Sequence, residues 1–149
     1  MDLTLNGLGL RQATALKVNV YVAGLYVDKP SNDPKAILES NAPKEIVLHF
    51  VRNVSASDLN KAWEEGFEKQ RGAFKNDLAT LEGWMTDMKT GQRLTFVHKP
   101  GAGIQVDVNG SPKGTIKGDD FAKTFFAIWL CPNPPNAGLK TGLLGGACG

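Results

Sequence analysis

The sequence predicts an α+β fold, a mostly antiparallel sheet with helices packed on one face, over a single domain spanning residues 1–149. Three observations carry that reading. Apolar residues recur with period two in 3–27, 44–52 and 92–117, and with helical period in 56–89 and 120–144. Elements of one type are grouped, with little of the regular strand–helix alternation that marks a parallel sheet. Composition is ordinary for a globular chain, at 42% apolar and 21% charged residues. A chain of this length removes roughly 68–70% of its unfolded surface from water, enough for a sizeable core.

The first stretch, LNGLGLRQATALKVNVYVAGLYV from Leu5 to Val27, organises the rest. Gly7 and Gly9 are spaced for a tight turn, Arg11 follows, and a β-rich run begins. Strand alternation puts Val18, Val20 and Val22 on one face, with Lys17, Asn19, Tyr21 and Ala23 on the other. Beyond Tyr21 both faces turn apolar or small, so the strand is covered on two sides at its end.

Lys29 to Asp33 (KPSND) is a turn, and Asp33 can cap a short helix that has Pro34 at its first position. Lys44 to Arg52 reads as an interior strand. Ser55 with Asp58 approximates a capping box, and Leu59, Ala62, Trp63, Gly66 and Phe67 form one helical stripe from Ala56 to about Arg71. A second helix is expected from Asn76 to Lys89, burying Leu78, Leu81, Trp84, Met85 and Met88. Three short strands follow, Gln92–His98, Gly103–Val108 and Lys113–Lys117, with Asn109-Gly110 as a hairpin signal. A helix from Asp120 to Leu130, crowded with aromatics, must be covered nearly all round. Pro132, Pro134 and Pro135 break it, and Ala137 to Leu144 forms the last helix.

The net charge of +2 is too small to argue for nucleic acid or an anionic membrane surface. No apolar run approaches the ~18 residues that span a bilayer. Cys131 and Cys148 either bridge around the C-terminal helix or stand as a core residue and a free tail thiol. No C-x-x-C spacing is present, and His49 and His98 lack the acidic partners in sequence that a metal site or triad would need, so no metal or cofactor is expected. Both histidines read as structural or solvent-facing. Glu64, Glu65 and Glu68 alternate with Lys61 and Lys69 as a solvated helix face. Trp63, Phe67, Phe125, Phe126 and Trp129 read mainly as core, with one or two left to line a cleft.

The pattern G-x-G-x-R at Gly7–Arg11, followed by KVNVYVAGLYV at Lys17–Val27, resembles the opening of the chalcone-isomerase-like proteins, their small bacterial branch above all. FFAIWLCPNPPNAGLKTGLLG, Phe125 to Gly145, is similar to that branch's aromatic helix, proline-rich turn and closing helix. The resemblance implies an open-faced β-sandwich with a helical layer and a ligand cleft between the layers. It also implies a periplasmic or secreted protein whose export signal has been removed.

Arg11 then becomes the leading candidate, because a guanidinium at the mouth of an apolar cleft can hold a carboxylate or phenolate through paired charge-assisted hydrogen bonds. In the family's flavonoid enzymes the matching arginine orients a phenolate; in its fatty-acid-binding members it clamps a carboxylate. The enzymes' strand threonine falls at Tyr21, counting back from Gly24 to Tyr26. Their helix tyrosine falls near Leu59 and their helix asparagine near Gly66, neither of which can polarise a ketone or hold a catalytic water.

The resemblance therefore implies a small amphipathic ligand, a fatty acid or a phenolic compound. Arg11, Tyr21, Leu59 and Trp63 would bind it, and isomerase activity would be slight. The alternative is a true intramolecular lyase acting on a phenolic enone through Arg11 and Tyr21. A third possibility is a structural or partner-binding protein whose cleft is filled by Tyr21, Leu59 and Trp63.

Overall fold

The computed structural model describes residues 3–13, 16–70, 74–130 and 134–145. The elements run β1 (Thr4–Ala13), β2 (Val18–Val27), α1 (Pro34–Glu39), β3 (Lys44–Phe50), α2 (Ala56–Lys69), α3 (Lys75–Trp84), β4 (Arg93–Lys99), β5 (Gly103–Val108), β6 (Ser111–Ile116), α4 (Asp119–Leu130) and α5 (Ala137–Leu143). The strands form one antiparallel sheet in sequence order. The α+β expectation therefore holds, with β3 in the interior as its apolar run requires.

Register explains which face is covered. Leu25 lies opposite Ile46, Ile46 opposite Phe96 and Phe96 opposite Val106, a row of buried side chains running across the sheet. Ala23, Leu48, Leu94 and Val108 form the next row. These rows meet Phe121, Phe125 and Trp129 of α4 and Trp63 and Phe67 of α2 in one continuous core. The other face carries Val22, His49 and Arg93 in register and stays partly open to solvent, so His49 is solvent-facing as expected.

Several expectations need correction. Gly7 and Gly9 make no turn; both sit inside β1, opposite Leu25 and Ala23, and neither has a positive φ. They are small because α5 crosses β1 there. A Cβ on Gly9 would run into the Leu139 carbonyl oxygen, one on Gly7 into that of Gly142, and one on Gly142 into that of Leu8. Asn136 clamps the same crossing: its side chain accepts from Gln12 N at 3.0 Å and donates to Leu10 O at 3.0 Å.

The helix expected over 76–89 stops at Trp84, although Met85 and Met88 are buried as foreseen. Met88 instead exchanges two backbone hydrogen bonds with Val54, at 2.8 and 2.7 Å. Apolar spacing alone does not separate a final helical turn from a short extended segment packed on the same core. Strand β6 begins at Ser111, not Lys113, because Asn109 and Gly110 both take positive φ and close a two-residue hairpin. Pro112 is tolerated since β6 is an edge strand. Cys131, Pro132 and Cys148, and the expected end of α2 at Arg71, lie outside the described residues.

At the far end of the sheet, Lys44 and His98 are in register and both buried on the core face. Lys44 Nζ lies 3.4 Å from His98 Nδ1, and His98 Nε2 lies 3.1 Å from Asp119 Oδ1 at the start of α4. Asp119 also accepts from Gly101 N. The arrangement fits a neutral imidazole whose Nδ1 accepts from the ammonium and whose Nε2–H donates to the carboxylate. His98 is thus a structural residue with an acidic partner, brought from 21 positions away.

Burial is the main cause that lowers the His98 pKa; the Asp119 hydrogen bond opposes it and the Lys44 charge adds to it. A group held below its unfolded value contributes stability above that value, about 6.5 for histidine, and loses it as pH falls. The melting temperature should therefore drop between pH 7 and 5 by more in the wild type than in His98→Gln, read from matched thermal melts. Parallel curves would show that His98 does not couple to folding.

Candidate functional site

At the opposite end of the sheet, where β1 and β3 finish and β2 begins, the helical layer stands off and leaves a cavity of about 430 Å³. That volume falls within the range typical of small-molecule sites. Its walls are chiefly apolar, with Val20, Leu48 and Phe50 from the sheet, Leu59 and Trp63 from α2, and Ile128 from α4.

Strand alternation does not by itself bring Val18 and Val20 to this cavity beside Tyr21. A bulge does. Arg11 pairs with Tyr21 but Gln12 pairs with Asn19, so Val20 is an extra residue on β2. Its carbonyl accepts instead from Val51 N at 3.0 Å. Bulges bend a strand and re-aim its side chains, and here Val18, Val20 and Tyr21 all border one space.

Arg11 and Tyr21 are direct cross-strand neighbours at the cavity wall. Arg11 Nη1 donates to Gln12 O at 2.7 Å and to Pro135 O at 3.1 Å, which anchors the side chain without neutralising it. Among the described residues it has no carboxylate partner. Tyr21 packs edge-on to Phe50, and its hydroxyl accepts from Trp129 Nε1 at 3.0 Å.

Burial raises the Tyr21 pKa, against smaller opposing effects of the Trp129 hydrogen bond and the Arg11 charge. The phenol therefore stays neutral and keeps a proton to donate. The cavity also borders Arg52 and Lys69 against Asp58 and Glu65, a nearly balanced set in which Arg11 tips the sign to positive.

All four residues expected to meet a ligand, Arg11, Tyr21, Leu59 and Trp63, border this one cavity. They do not fill it, so the possibility of a cleft plugged by Tyr21, Leu59 and Trp63 does not hold. Gly66 lies against Ile128, where a Cβ would come within 2.9 Å of Cδ1. Sequence reasoning missed Phe50, Ile128 and the bulge at Val20, which give no signal beyond being apolar. Of the five aromatics read mainly as core, Trp63 and Trp129 border the cleft, whereas Phe67, Phe125 and Phe126 do not.

The sequence matches the family of chalcone isomerase-like proteins over residues 1–145. The chain belongs to that family. A solved structure of similar fold is a fatty-acid binding protein of Arabidopsis thaliana, with a TM-score of 0.76 and 15% sequence identity, covering 95% of this chain and 86% of that one. At that identity the likeness speaks for the fold. No curated protein matches the sequence. No helix among the described residues is long and apolar enough to cross a membrane.

Proposed function

We propose that this chalcone isomerase-like protein binds an amphipathic monocarboxylate such as a fatty acid and catalyses little or no isomerisation. The carboxylate sits on Arg11 and Tyr21, and the acyl chain runs along Leu48, Phe50, Leu59 and Ile128. One observation carries the reading: an uncompensated guanidinium and a neutral phenol share the wall of an otherwise apolar cavity. The Arabidopsis protein of the same fold is named for binding fatty acids, which supports the ligand class. Export to the periplasm belongs to the same reading.

Catalysis asks for more. Closing a phenolic enone requires positioning of the phenolate and stabilisation of a developing enolate. Leu59 and Gly66 on α2 offer no hydroxyl or amide side chain for the second task. Arg11 and Tyr21 could still act on such a substrate, and mixing the protein with a chalcone and following its visible absorbance separates the two readings. No rate above buffer is expected. Native mass spectrometry with laurate should show a one-to-one adduct; protein that stays empty with saturated acids of every chain length would overturn the binding function.

A further inference from the structure

The helices pack on the sheet face that holds Ala23, Leu25 and Ile46, and the opposite face has no covering element among the described residues. Its residues follow two gradients. In one row across the sheet, Leu10 and Val22 continue into His49 and Arg93; in a parallel row nearer the other strand ends, Leu5 and Tyr26 continue into Glu45 and Val97. Between them, Leu8 and Gly24 lead to Val47. Across the strands, therefore, the β1–β2 half is apolar, with Leu5 and Leu8 43% and 45% exposed, and the far half is polar. Leu8 and Tyr26 both reach over Gly24, where a Cβ would come within 3.3 and 3.2 Å of them, which makes the apolar half continuous. Along the strands, one end carries Arg93 and the other Glu45. Neither has an ion-pair partner among the described residues.

Such a face complements itself under one operation. Two copies packed face to face are related by a twofold axis lying in the plane between them. Run parallel to the strands, that axis would lay the apolar half on the polar half and set the Arg93 row against itself. Run across the strands along the Leu8–Val47 row, it lays apolar half on apolar half and turns every strand end for end. Arg93 of one copy then comes over Val97 of the other, one strand spacing, about 4.8 Å, from Glu45. Both gradients are satisfied together. We infer that the chain forms a twofold dimer through this open face, two sheets packed as a sandwich, with Leu5, Leu8 and Tyr26 at its apolar centre and Arg93 paired with Glu45 across it in two symmetric places. Asp107, in register with Val47 through Thr95, meets its own copy at the polar margin, where Arg93 of the other copy is also a neighbour. The ligand cavity lies between the sheet and the helices, so the dimer leaves it free.

The test is sedimentation velocity over a concentration series for the wild type, Leu8→Lys, Arg93→Glu and Glu45→Arg. The wild type should dimerise, and each variant should weaken the dimer at least about tenfold, because like charges set face to face, or a charge set in the apolar centre, cost several kcal/mol. An equimolar mixture of Arg93→Glu with Glu45→Arg decides the geometry. In the mixed dimer every reversed residue faces the opposite sign at both symmetric places, so association should return to within about threefold of the wild type. That recovery also shows that both variants fold. A wild type that stays monomeric throughout leaves the face to another occupant and overturns the inference. So does a dimer indifferent to Leu8→Lys, or a mixture that associates no better than its components.

Discussion

Replacing Phe125 with alanine should lower the unfolding free energy by about 3–5 kcal/mol, the usual cost of deleting a fully enclosed aromatic ring. Phe125 is 0% exposed. Its ring centroid lies 4.6 Å from Phe96 on the sheet, 5.5 Å from Trp63 on α2, and 5.0 Å from Trp129 one helical turn away. It is therefore the ring through which α4, α2 and β4 meet. Collapse cannot easily fill the space, since its neighbours are themselves rigid aromatics held on three different elements. Equilibrium urea denaturation followed by circular dichroism measures the effect. A loss below about 1 kcal/mol would mean that the cluster is loosely packed and that α4 is held mainly by its ends. The same change should weaken ligand binding only indirectly, because Phe125 lies behind Trp63 and does not border the cavity.

Most of this architecture was legible because it is written in periodicity. Ile46, Leu48 and Phe50 announce one face of an interior strand, and all are buried. Ser55 announces the start of α2, and its side chain accepts from Asp58 N at 3.1 Å as a cap should. Asn109-Gly110 announces a hairpin whose positive φ values both residues supply. The misreadings have a common physical origin, namely features determined by a partner distant in sequence. Gly7 and Gly9 look like turn residues until α5 is seen lying on them. Met88 looks helical until Val54 pairs with it. Val20 looks as if it faces away from Tyr21 until the register slips between Arg11 and Gln12.

The site was readable in the same measure. Arg11 and Tyr21 stood out by pattern, but their adjacency comes from pairing of β1 with β2, and the donor that Trp129 directs at Tyr21 comes from 108 positions away. His98, read as structural or solvent-facing, is structural, but its partners Lys44 and Asp119 are supplied by the fold and left no signal near it in the sequence.

Arg11→Ala should weaken laurate binding by about 1.5–3 kcal/mol, the worth of hydrogen bonds to a charged group, or roughly ten- to 150-fold in Kd. The interpretation needs a control, because Arg11 also donates to Pro135 O and Gln12 O, and losing those bonds could loosen the entrance to α5. Dodecanol provides it. The alcohol has the same chain but no charge, so it fills the apolar wall while asking nothing of the guanidinium. If Arg11 acts on the carboxylate, laurate affinity falls and dodecanol affinity holds within about twofold. If Arg11 acts only by bracing the 134–136 segment, both ligands weaken together. Arg11→Lys sharpens the distinction: an ammonium keeps the charge but loses the planar fork that can serve two acceptors at once. It should recover part of the laurate affinity while leaving the Pro135 contact impaired, since one Nη atom now serves both carbonyls. A lysine variant no better than alanine would mean that two-point geometry, and not positive charge, is what Arg11 brings to the cavity.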